Sequence, residues 1–113
     1  MLGCAGPAWL TKEGIVVPFY ADRQLVAQAL QLAAQHPEWG AYATQINGGT
    51  LRAEMADALR LGIPAITLAG MTPDGNAPYW HQVGDTYDKI DPEVLARALA
   101  FTSAFIRALD ERE

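Results

Sequence analysis

Apolar residues fall at helical spacing in three stretches of the chain and form short blocks between them. Leu25, Val26, Ala29, Leu30 and Ala33 recur every three or four residues, which predicts an amphipathic helix. Asp22 stands where it can cap the first turn, and Pro37 and Gly40 close the helix. A second helix is predicted over about 51–61, with Met55, Ala58, Leu59 and Leu61 facing inward. Gly62 occupies the position of a left-handed C-terminal cap, and Pro64 prevents continuation. The third helix starts from Asp91 as cap, with Pro92 in its first turn and Glu93 after it. Val94, Ala98, Phe101, Phe105 and Leu109 give it a broad apolar face; it ends near Asp110, with Arg107 in the favourable last turn.

The blocks between the helices read as strands and turns. Residues 1–14 are rich in turn formers, and "MLG" reads as the tail of a strand. "IVVPF", residues 15–19, is β-branched but broken by Pro18, so it is a short edge strand or an extended loop. "AYATQI", 41–46, alternates weakly and reads as a strand, followed by a sharp turn at "NGGT". "AITLAG", 65–70, is nearly all apolar, the pattern of a buried strand in a sheet covered on both faces. Residues 71–91 form a loop longer than the roughly 12–15 residues beyond which loops usually carry function. The order predicts an α/β fold, a few-stranded sheet with flanking helices, in one domain over residues 1–113.

Composition narrows the choice of partners. Half of the 113 residues are hydrophobic, enough for a core, and the net charge is −5 with no basic cluster. Tracking phosphates requires a concentrated positive field, so nucleic acid is not an expected partner. No run approaches the roughly 20 apolar residues of a membrane span. Cys4 is the one thiol and has no internal disulfide partner. The start lacks the pattern of a signal peptide, which weakly favours a cytoplasmic location.

The chemistry concentrates in "YWHQVGDTYDKID", residues 79–91. His81 is either a metal ligand, since a neutral imidazole suits zinc, or a loop histidine bonded locally. Asp85 with Thr86 can fix the loop through a side-chain turn, and Asp88 and Asp91 flank Lys89. Tyr79 and Trp80 can wall an apolar pocket or belong to a core or interface. Elsewhere, Glu54 and Asp57 share a helix face and read as solvated, and His36 reads as a helix-end residue favoured by the dipole. "INGGT" lacks the lysine and spacing of a phosphate loop; Thr50 reads instead as a helix cap.

Two stretches together carry a resemblance. "GGTLRAEMADALRLGIPAITLAG" followed by "YWHQVGDTYDKIDPEVLARALAFTSAFI" resembles the C-terminal part of the co-catalytic zinc aminopeptidases, the zinc exopeptidase family that includes glutamate carboxypeptidase relatives. Gly62, Ile63, Pro64 and Ala65 match the family's strand start, and His81, Asp85, Thr86, Asp88, Lys89, Ile90 and Asp91 match its histidine loop. The resemblance spans about residues 45–109 and implies a partial α/β/α sandwich of the zinc-peptidase type. It implies zinc as cofactor, peptide N-termini as substrate, and His81 as a terminal ligand of one of two zinc ions. It places "MLG" just after a metal-binding acid, with the remaining ligands and the general base upstream. The 113 residues then correspond to the C-terminal portion of the catalytic domain, needing an N-terminal half or a second copy. Trp80 stands where the family places a residue that helps hold the intermediate; Gln82 replaces a frequent threonine, and Leu51 an aspartate found in some members. The alternative is a peptidase-like interaction module without catalysis. A further reading pairs two copies through the Phe101–Phe105 face.

Overall fold

A computed structural model describes residues 5–13, 19–45, 55–74 and 90–111. Its sheet is built on β1 (Ala8–Leu10), which lies between β4 (Tyr42–Thr44) and β5 (Thr67–Ala69). β4 runs parallel to β1, with Ala8 opposite Tyr42 and Leu10 opposite Thr44. β5 runs antiparallel, with Ala8 opposite Ala69 and Leu10 opposite Thr67. A small separate ribbon pairs β2 (Lys12–Glu13) with β3 (Phe19–Tyr20).

Alternation along β1 sends its side chains to two different cores. Ala8 and Leu10 join Ala21, Met71 and Met55 of the short helix α2 (Met55–Arg60). Trp9 points the other way, into Ala29 and Leu32 of α1 (Arg23–Gln35) and Phe101 and Phe105 of α3 (Pro92–Asp110). Helices therefore cover both faces of the sheet, the partial α/β/α sandwich that the sequence predicts.

The helix boundaries follow from their caps. The Asp22 carboxylate accepts from the amides of Gln24 and Leu25, each at 3.1 Å, and Asp91 accepts from the Glu93 amide at 2.9 Å. Each meets donors that a first helical turn otherwise leaves without partners. Asp22→Ala is expected to lower the unfolding free energy by about 1 kcal/mol, read as an earlier urea midpoint, while Asp22→Asn keeps most of it.

Several expectations need correction. The central strand, "AWL", lies within the stretch read as turns, because three residues are too few for alternation to show. β5 is half-buried rather than fully covered, and among the described residues it pairs only with β1 and stands at the edge of the three-stranded sheet. In α1 the stripe turns inward at Leu32, 7 % exposed, and leaves Leu30 54 % exposed. Leu61 is 77 % exposed because α2 stops at Arg60 and Gly62, at φ 80°, turns the chain away. Phe101 and Phe105 are buried inside the chain, so that face is not open to a second copy. "MLG", "NGGT" and most of the 71–91 loop lie outside the described residues, as do residues 15–18 of "IVVPF"; its Phe19 opens β3. Among the described residues, no helix is long and apolar enough to cross a membrane.

Candidate functional site

The parallel pair β1–β4 ends at Thr11 and Thr44. The Thr11 amide donates to the Thr44 carbonyl at 3.0 Å, and the Thr11 hydroxyl reaches the same oxygen at 3.4 Å. Thr44 is the buried polar residue of this end, 5 % exposed. Its hydroxyl lies 3.2 Å from the Thr72 carbonyl and 3.3 Å from that of Pro73. Beside it the Tyr42 hydroxyl donates to the Met71 carbonyl. Burial raises the Tyr42 pKa, which keeps the phenol protonated and able to donate at neutral pH. These bonds strap residues 71–73 to β4, on the path from β5 toward the His81 segment.

An open depression of about 350 Å³ lies at this corner, lined by Thr11, Ala43, Thr44, Gln45, Pro73 and Asp74. In open α/β sheets, ligands gather outside the carboxyl ends of the strands, and β1 and β4 both end here. Hydroxyl, amide and carboxylate groups line it. The Thr72 hydroxyl donates to the Asp74 carboxylate, which fixes that acid at the rim. Sequence reasoning missed Thr11, Thr44 and Asp74; the one available signal was a polar residue closing a short apolar strand.

The residues singled out in the sequence fare differently. Asp91 is the helix cap that was expected. His36 ends α1, stacks on Trp39 with ring centroids 4.0 Å apart, and pairs with Glu38 at 3.1 Å. Asp57 is exposed on α2. His81, Asp85, Thr86, Asp88, Lys89, Tyr79, Trp80 and Gln82 lie outside the described residues, as do Cys4, Thr50, Leu51 and Glu54. Among the described residues no group of three or more His, Cys, Asp or Glu side chains could hold a metal ion. Asp22 and Asp91 are committed to helix caps, and His36 to Glu38. The described donors therefore do not by themselves fit a zinc ion.

The backbone hydrogen bond at Glu38, followed by the His36 ring, holds the Glu38 carboxyl below its ordinary value. A lowered folded-state pKa contributes stability above the ordinary glutamate value, and that stability is lost as pH falls through the lowered one. Glu38→Gln is expected to lower the melting temperature slightly at pH 7. The difference from the parent chain closes as thermal melts are taken to acid pH.

A model of the family described as Peptidase family M28 matches residues 9–106. No curated protein and no solved structure matches the chain. The matched span runs from within β1 into α3 and includes the segment bearing His81.

Proposed function

The chain belongs to peptidase family M28, and from that premise we propose that it serves zinc-dependent hydrolysis of N-terminal peptide bonds, with His81 as a metal ligand. The observation that carries this reading is the continuous family match over residues 9–106. It contains both "GIPA" and "YWHQVGDTYDKID". The depression at the carboxyl ends of β1 and β4 supports it, because the strap that leads toward His81 is fastened there.

A bound zinc ion supplies a Lewis acid and a polarised water. His81 would hold it through a neutral imidazole nitrogen. Zinc requires three or four donors, so the remaining ligands and the general base come from other residues outside the described set or from a second polypeptide.

The test is metal content per chain, by elemental analysis after dialysis against zinc, for the parent chain and His81→Ala. The parent is expected to retain zinc and the variant to lose it, with apparent affinity falling at least about tenfold. Hydrolysis of an aminoacyl amide is expected to follow the metal. Equal zinc in both proteins, or none in a folded parent chain, would overturn the ligand assignment. The peptidase-like interaction module would then be the better description.

A further inference from the structure

The depression where β1 and β4 end combines apolar walls with acceptors and a negative charge. Its volume of about 350 Å³ stands at the small end of the roughly 300–1,000 Å³ of small-molecule sites, room for one long side chain. Ala43 of β4 and Pro73 of the strap give it apolar surface. Asp74 is the charged residue among its described lining residues, and no described lysine or arginine lines it. The Thr11 hydroxyl donates to the Thr44 carbonyl, and a donating hydroxyl still accepts through its oxygen. The Gln45 side chain brings an amide carbonyl as a further acceptor.

These groups are held in place before any ligand arrives. The buried Thr44 hydroxyl ties β4 to the carbonyls of Thr72 and Pro73, and the Thr72 hydroxyl fixes the Asp74 carboxylate. Such preorganisation lowers the ordering cost of binding. The negative potential of the acid extends across the corner: burial leads in raising the Tyr42 pKa, and the charge of Asp74 adds to it. An apolar stem that ends in a cation matches this lining. Arginine fits it better than lysine. Its planar fork pairs with a carboxylate through two parallel N–H bonds and keeps further donors for Thr11 and Gln45. A guanidinium is also more weakly hydrated than an ammonium, so it gives up less on leaving water for an open site.

We propose that this depression is the subsite for an arginine side chain of a peptide substrate, with Asp74 as its specificity-determining residue. That the arginine belongs to a substrate rests on the peptidase reading; capture of the guanidinium itself does not. Asp74 is exposed, so solvent screens the pair and the discrimination is modest, about two- to fivefold.

An NMR titration of the full 113-residue chain, without zinc, tests it with two probes. Argininamide carries the guanidinium; citrullinamide replaces it with a neutral urea of the same shape. Argininamide is expected to shift the amides of Ala43, Gln45 and Asp74 saturably and to bind about two- to fivefold more tightly than citrullinamide. Added salt is expected to close that gap, because exposed charges are screened. Asp74→Asn keeps an acceptor for the Thr72 hydroxyl. It is expected to match the parent in circular dichroism and thermal melts and to lose the preference. The absence of saturable shifts, equal binding of the two amides, or a preference that survives Asp74→Asn would overturn the proposal. Zinc content separates it from the peptidase reading. A chain that holds no zinc but keeps the Asp74-dependent preference would keep the arginine site and lose the peptidase reading. One that holds zinc through His81 but does not distinguish the two amides would keep the peptidase reading and lose the subsite.

Discussion

Phe101→Ala is expected to cost about 3–5 kcal/mol, the range for removing a buried phenylalanine from a packed core. Phe101 is fully buried, with its ring centroid 5.9 Å from that of Trp9 and 6.2 Å from that of Phe105. It is the residue through which α3 reaches the central strand, and Ala29 and Leu32 of α1 share the cluster. Truncation removes the contacts of three elements and leaves a void between rigid neighbours, which relax only in part. A domain with a total stability of about 5–15 kcal/mol has little to spare. Urea unfolding followed by far-ultraviolet circular dichroism should show a much earlier midpoint, or no cooperative transition at all. Trp9→Phe offers a contrast. Among the described residues the buried Trp9 indole nitrogen has no hydrogen-bond partner, so phenylalanine sacrifices no bond there and should cost clearly less. A Phe101→Ala protein with near-parental stability would mean that α3 does not close the core.

Gly6→Ala is the second large effect, expected at about 3 kcal/mol from backbone strain and overpacking together. Gly6 has φ 84°, a region that costs other residues strain. A methyl group there would stand 2.9 Å from the Ala8 amide nitrogen, 3.1 Å from the Ala69 carbonyl oxygen and 3.3 Å from the Gly70 Cα. All three are backbone atoms, of β1, of β5 and of the residue that follows β5, so none can swing aside as a flexible side chain would. Gly62→Ala is the control. It shares the positive φ, 80°, but nothing lies within 4 Å of its added methyl. It should cost only the strain, about 1 kcal/mol. Comparing the two urea midpoints separates close approach from backbone conformation; equal losses would mean that the β1–β5 contact yields.

The helices were legible because their signals are local. Asp22 and Asp91 cap as their positions predict, Gly62 takes the left-handed conformation, and α3 buries Ala98, Phe101 and Phe105 as the spacing requires. The strands were less so. β1 is three residues long and follows Gly6 and Pro7, so turn formers hide the most buried strand of the sheet. The choice of Leu32 over Leu30 in α1 depends on where α3 and Trp9 lie, which no local period encodes.

At the candidate site the division is similar. His81 and its neighbours were read from a linear motif, and the family match covers that motif. The depression at Thr11, Thr44 and Asp74 was not legible, since it joins residues from three separated stretches.

The sequence by itself determined the N-terminal caps of α1 and α3, the α/β class and the family, because caps and contiguous motifs are properties of neighbouring residues. Tertiary structure alone decided which strand is central, which way β5 runs, how the 71–73 strap is fastened to β4, and which side of α3 remains exposed. Those outcomes depend on pairings between residues far apart in the chain. Burial and backbone hydrogen bonding select such pairings only once the whole fold has closed.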